Sequence, residues 1–296
     1  MSPPLRLGTR GSALALAQAE RVAASLGGAD VVPTSASDGE PGDKSRFVRG
    51  VERLLLDGEV DLAVHSAKDL PGEETEGLAL VAVPAREDPA DAFVGDAESL
   101  GDLAEGTRVG TSSLRRRSQL LALRPDLEVA ALRGNVDTRL GKLEAGEVYG
   151  IVLAAAGLHR LGRADAIAFR FGADEMVPAP GQGSLAVQAR ADDEDAARAA
   201  GAITDRAALV ELTAERAAVA ALEASCETPV GICARHMDDG TLAVAAYAGL
   251  PDGSEWVRDA VRGDPEQPVA LAESLVERMS AAGARDILDR AERLST

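Results

Sequence analysis

Arginines and hydroxyl side chains gather at four places in the 296-residue chain: Gly8-Thr9-Arg10-Gly11-Ser12, Gly110 to Arg117, Leu132 to Arg139, and Gln188-Ala189-Arg190. Each reads as a strand-to-helix junction, where free backbone N–H groups and the helix dipole favour an anion. The guanidinium adds a planar fork that binds carboxylate or phosphate at two points. Ser12 and Ser112, taken singly, read equally well as ordinary helix N-caps. Four such segments together point to a polyanionic ligand.

Two other groups could do chemistry. His65-Ser66-Ala67-Lys68-Asp69 follows an apolar run and sets an ammonium beside a carboxylate, which holds Asp69 ionised and able to face a cationic centre. A turn without a role would use the same residues, and His65 reads as a strand-end histidine. Cys226, in Glu223-Ala-Ser-Cys-Glu-Thr-Pro-Val-Gly231, is a thiol on a loop closed by proline, either a nucleophile or a partly buried structural cysteine. Cys233 reads as core. Neither cysteine belongs to a Cys-x-x-Cys or Cys/His zinc pattern, and no metal is implied. Gly181-Gln182-Gly183 lacks the third glycine of a dinucleotide loop, and no Walker sequence exists.

The elements that must position these groups follow from periodicity. Leu5 to Gly8 reads as a strand and Ser12 as the cap of a helix that stops at Gly27-Gly28. A strand at Val31-Val32, a polar stretch from Ser35 to Asp43, and a helix from Phe47 to Leu56 follow. Val60 to His65 is the apolar run of a strand buried on both faces, and Gly77 to Pro84 is another. After Asp88-Pro89 the pattern restarts, with strands at 92–94, 108–110, 128–132 and 148–154 and helices after Thr111-Ser112-Ser113 and Gly134-Asn135. A long helix over Thr204 to Ser225, three strands within 230–262 and helix over Pro265 to Leu294 close the chain.

At about 150 residues per domain the length allows two or three domains. The reading is α/β: domain 1 over 1–88 and 184–204, domain 2 over 89–183, and a smaller α+β domain over 205–296, with ligands expected where strand carboxyl ends gather in a cleft between lobes. A net charge of −18 and 2% aromatic residues argue against nucleic-acid binding. No segment is long and apolar enough for a membrane span, and no leader pattern opens the chain, so the cytoplasm is expected. Only three lysines occur, Lys44, Lys68 and Lys142, so arginine carries almost all the positive charge.

The segments GTRGSALALAQ (8–18), VDLAVHSAKDLP (60–71), REDPADAFV (86–94), GTSSLRRRSQL (110–120), LRGNVDTRLGKL (132–143), AAAGLHRLG (154–162), PAPGQGSLAVQAR (178–190) and EASCETPVGICA (223–234) together resemble the porphobilinogen deaminase (hydroxymethylbilane synthase) family. The resemblance implies two lobes like those of type II periplasmic binding proteins and a third domain whose cysteine, here Cys226, holds a dipyrromethane primer by a thioether. It implies an enzyme that joins four porphobilinogen molecules head to tail with loss of ammonia and releases 1-hydroxymethylbilane by hydrolysis. The partner is then this small molecule, and the chain is expected to be a monomer.

Carried over by motif, Asp69 is the catalytic carboxylate. Lys68, Thr111, Ser112, Ser113, Arg115, Arg116 and Arg139 bind the cofactor, and Arg10, Ser12, Arg133 and Arg190 bind substrate. Each pyrrole carries an acetate and a propionate, so every condensation adds two negative charges, and the arginines acquire a reason. Arg117 lies two positions past Arg115 on the same helix and is left out. The chain departs from the family between Ser35 and Phe47, where the usual lid is longer and ends Lys-Gly-Leu-Phe; this one is shorter and more acidic. No role is carried to Lys44, Arg163 or Arg170. A non-catalytic anion receptor is the competing reading, and it needs neither Asp69 nor Cys226.

Overall fold

The computed structural model describes residues 4–34, 46–72, 75–224 and 228–295. The segment 35–45, with Lys44, and the site around Cys226 lie outside the described residues. In chain order the elements are β1 (Arg6–Arg10), α1 (Ala13–Ser25), β2 (Asp30–Thr34), α2 (Arg46–Leu56), β3 (Leu62–Ser66), β4 (Leu78–Ala82), β5 (Asp91–Gly95), β6 (Arg108–Gly110) and α3 (Leu114–Leu123). There follow β7 (Glu128–Ala130), α4 (Val136–Glu144), β8 (Gly150–Ala154), α5 (Ala155–Arg160), β9 (Phe169–Arg170), β10 (Leu185–Arg190), α6 (Glu194–Gly201) and α7 (Arg206–Leu222). The chain closes with β11 (Val230–His236), β12 (Leu242–Gly249), β13 (Trp256–Gly263), α8 (Pro268–Ala281) and α9 (Ala284–Ser295).

Two compact units form, one from residues 1–87 with 183–210 and one from 88–182 with 211–296. The first holds a five-stranded sheet in the order β2-β1-β3-β10-β4. Helix α1 buries positions 15, 18, 19, 22 and 23, one stripe at helical spacing. Leu62 and Val64 of β3 point into that α1 side, while Ala63 packs with Val51 and Leu55 of α2. The apolar run of β3 therefore has the two covered faces its composition demands.

In the second unit the sheet runs β7-β6-β8-β5-β9, and Phe93, fully buried, stacks on Phe169 at 4.9 Å between ring centroids. The C-terminal residues build a separate antiparallel sheet, β11-β12-β13, with α8 and α9 against it, and they belong to one unit with 88–182.

Both five-stranded sheets are mixed rather than all parallel. Strand β10 runs antiparallel to β3 and β4, and β5 runs antiparallel to β8 and β9. Gln188-Ala189-Arg190 read in the sequence as an anion-binding segment, yet they belong to β10, which fills an interior place in the first sheet. Nothing local marks a strand whose partners lie more than a hundred residues earlier.

Candidate active site

In the first unit the site edge is the carboxyl end of β1 and β3. These strands are parallel neighbours, with Leu7 opposite Leu62 and Gly8 opposite Ala63, so Arg10 comes level with His65. Past Arg10 the chain turns, Gly11 N–H donating to Thr34 O at 3.1 Å, and Ser12 Oγ accepts the Ala15 N–H at 3.3 Å as the cap of α1. The cap expected at Ser12 is the one found.

Past His65, residues Ala67–Asp69 form one turn of 3-10 helix that carries Lys68 and Asp69. The Ala67 N–H is held by Ser184 O at 3.0 Å, from the start of β10. Asp69 is half-buried. Beneath it His65 is 5% exposed, and burial, with a smaller push from Arg10, brings its imidazole down to about 4, so it is neutral at physiological pH. Its Nε2 and Gln188 Oε1 are both buried without a hydrogen-bond partner of good geometry among the described residues.

The second unit repeats the arrangement with different side chains. Strand β6 ends at Gly110 and leads through Thr111, Ser112 and Ser113 into α3. Here the cap is Ser113, whose Oγ accepts the Arg116 N–H at 3.4 Å, one residue later than the Ser112 expected. Thr111 Oγ1 accepts the Ser113 N–H at 3.2 Å and locks the turn. Ser112 is left exposed. The neighbouring β7 leads to Gly134, which has φ +126 and whose added Cβ would sit 2.6 Å from the Thr138 methyl. That tight turn brings Arg139 back, its Nε donating to Gly134 O at 2.9 Å. Burial lowers the Arg139 guanidinium below its ordinary range, and among the described residues no carboxylate pairs with it. Arg133 is exposed beside it.

Arg115 and Arg116 are not presented to solvent. They are 4% and 5% exposed and share one carboxylate, Asp91, which is fully buried. Arg115 Nη1 and Nη2 donate to Asp91 at 2.6 and 3.2 Å, Arg116 Nε donates at 2.8 Å, and Gln182 Nε2 donates at 3.0 Å. Burial alone would raise the Asp91 carboxyl; the two guanidiniums outweigh it and hold it well below the usual range. Two cations against one anion leave a surplus positive charge under the Thr111–Ser113 turn. Arg116 registers that surplus, its guanidinium lowered by burial and by the nearby Arg115 and Arg139 despite Asp91.

Arg190 is set apart from the other expected substrate-binding residues. Because β10 is antiparallel, Leu185 faces Ser66 at the site edge, and Arg190 lies five residues further on, about 17 Å along the strand, at the opposite edge. Its guanidinium is taken by Leu55 O at 3.0 Å, Val60 O at 2.8 Å and Asp193 at 2.6 Å. It clasps the sheet to α2 and α6. The residues missed in the sequence are Asp91 and Gln182. A lone Asp in the apolar stretch Ala90 to Val94 was the available signal for the first.

Two family descriptions match the chain: "Porphobilinogen deaminase, dipyromethane cofactor binding domain" over residues 5–198 and "Porphobilinogen deaminase, C-terminal domain" over 209–281. The chain belongs to the porphobilinogen deaminase family. A porphobilinogen deaminase of Thermus thermophilus is 43% identical over 292 residues, covering 95% of this chain and 97% of the relative. One from Roseiflexus sp. is 43% identical over 303 residues, covering 97% and 99%. Among solved structures, a Salmonella typhimurium periplasmic binding protein with high arginine specificity is similar at a TM-score of 0.40 and 15% identity, over 68% of this chain and 92% of that one. The chain is accordingly an enzyme that polymerises porphobilinogen in tetrapyrrole biosynthesis, with dipyrromethane as its cofactor. Among the described residues, no helix is long and apolar enough to cross a membrane.

The residues present fit that cofactor. Dipyrromethane carries four carboxylates. The second unit's edge offers exposed Ser112 and Arg133, the N-terminus of α3, a buried 2:1 excess of guanidinium over carboxylate, and Arg139 without an acidic partner among the described residues. A half-buried guanidinium with no carboxylate partner among the described residues, beside a buried surplus of positive charge, suits an anionic ligand.

Proposed function

We propose that the two edges divide the labour of this polymerisation. The first edge receives porphobilinogen, with Arg10 and Ser12 taking its carboxylates and Asp69 facing its pyrrole nitrogen. The second edge holds the primer through Thr111, Ser112, Ser113, Arg133 and Arg139, and the family resemblance also gives Lys68 a cofactor-binding role. Arg115 and Arg116 act from below as fixed positive charge, and Cys226 carries the primer through a thioether. Arg190 is not part of this set.

When bound, dipyrromethane supplies the free pyrrole α-carbon that the incoming methylene joins. In each cycle the bond from the substrate's methylene to its amine breaks and ammonia leaves, a carbon–carbon bond forms, and the α-carbon loses its proton. Positive charge develops before and after that bond forms. The Asp69 carboxylate stabilises it by facing the reacting pyrroles, and it is uncommitted to any described neighbour. Four such cycles precede hydrolytic release of 1-hydroxymethylbilane. The observation that carries the assignment is the contrast in pairing: Asp69 has no ion pair or hydrogen bond among the described residues, while Asp91 is saturated.

The family resemblance also supports a monomer acting in the cytoplasm; sedimentation of the purified chain checks the first. For the attachment site, intact mass and Ehrlich colour of the purified protein are decisive. The expected mass exceeds the bare polypeptide by one dipyrromethane, and Cys226→Ser shows the bare mass and no colour. A bare mass for the parent protein after incubation with porphobilinogen, or primer retained in Cys226→Ser, overturns it.

A further inference from the structure

Gln119 of α3 is 2% exposed and far from solvent chemistry, yet its amide reads one backbone residue at both ends. Its Oε1 accepts the Val177 N–H at 2.7 Å and its Nε2 donates to Val177 O at 3.1 Å. The side chain thus imitates a strand pairing with Val177. The same Val177 O accepts from Arg115 Nη1 at 2.8 Å, so fixing that carbonyl also orients Arg115.

On its other side, the stretch Val177-Pro178 lies against β11. The Ile232 N–H donates to Pro178 O at 2.9 Å, and a Cβ added at Gly231 would stand 2.5 Å from Val177 O. Only glycine allows that approach without moving backbone. Val177 packs with Cys233 and Tyr247, completing a buried contact between α3 and the C-terminal sheet. In sequence, β11 begins four residues after Cys226.

We infer that Gln119 is a positioning residue: its two-point grip on Val177 sets the register between α3, with its Thr111–Ser113 turn and Arg115, and β11, the strand that follows the primer-bearing cysteine. This rests on the assignment of primer binding to α3 and Cys226. A tethered ligand with several carboxylates needs its covalent anchor and its charge partners at a fixed separation, and a buried amide clip gives that rigidity at the cost of no net charge. Leu or Met would fill the space; only Gln satisfies both Val177 groups.

The test uses Gln119→Met, Gly231→Ala and the double variant in the full chain. One readout is the rate at which protein made without primer gains the dipyrromethane mass on incubation with porphobilinogen. Each single variant is expected to slow loading about tenfold, the effect of about 1.4 kcal/mol of lost positioning. Both disturb the same two-residue stretch, so the double variant should be little slower than either single one. In the loaded fraction kcat should fall while KM for porphobilinogen stays within about twofold, since substrate is taken by the other edge.

Loading at the parent rate, a multiplicative loss near a hundredfold in the double variant, or kcat and KM falling out of range together overturns the inference. If Gln119→Met does not fold, Gln119→Asn, polar but too short for both Val177 groups, is read with the same expectations. Primer retained in Cys226→Ser instead removes the underlying assignment, whatever the Gln119 variants do.

Discussion

Asp69 lies just past the end of β3 and Asp91 opposite Ala154 at the end of β8, each at the edge of its own sheet, and they have opposite surroundings. Asp91, at the start of β5, is fully buried and takes hydrogen bonds from Arg115, Arg116 and Gln182. Asp69, on a single 3-10 turn after β3, is half-buried and uncommitted among the described residues. A saturated carboxylate has no capacity left for a passing cation, whereas an open one does. The comparison teaches that one edge commits its acid to internal order while the other leaves its acid open among the described residues, as the proposed role in the reaction requires.

The comparison breaks most sharply at Asp69. Asp69→Ala should lower tetrapyrrole formation at saturating porphobilinogen about a thousandfold or more, with thermal stability unchanged, while Asp69→Glu folds and turns over slowly. A parent-like rate in Asp69→Ala ends the catalytic assignment. Asp91→Asn should do the reverse, costing about 3–5 kcal/mol in denaturant unfolding, because two buried guanidiniums lose the carboxylate they share.

His65 sharpens the picture through pH. Its imidazole is at about 4 when folded against 6.5 in the free state, so the unfolded chain takes up the proton first as pH falls. The associated stability is complete above about pH 6.5 and is lost progressively toward about pH 4, by about 3 kcal/mol. His65→Gln should flatten that part of the stability-against-pH curve. A smaller effect is expected at the second edge, where Arg139→Ala should slow primer loading about tenfold at low salt, the difference from the parent shrinking as salt rises. The smallest is Arg190→Ala, which should leave kcat/KM as it is and cost about 1 kcal/mol of stability. A large loss of activity there would return Arg190 to the substrate set.

Much of this was legible in residue order. Ser12 as a cap, the two-faced burial of β3, the Gly134-Asn135 entry to α4 and the meander of β11 to β13 all depend on neighbours within a few positions, and local chemistry declares them. What was not legible depends on distant partners. Strand β10 meets β3 and β4 only after the intervening unit has been made, so the direction it runs, and with it the exile of Arg190 to the far edge, has no local signature. The contact of Arg115 and Arg116 with Asp91 was obscured similarly: two arginines beside serines give no local sign of a buried carboxylate twenty-four positions from Arg115.

Because β10 lies inside the first sheet, between β3 and β4, its place in the chain has a bearing on synthesis at the ribosome. The opening eighty-seven residues emerge with a gap where that strand belongs, and the gap stays open until position 190 has left the exit tunnel. The contiguous stretch from 88 onward meets no such delay in pairing its own five strands. Translation therefore presents the second α/β sheet in completed form before the first can close, and any chaperone that guards a nascent apolar face has its longest task at the N-terminal end.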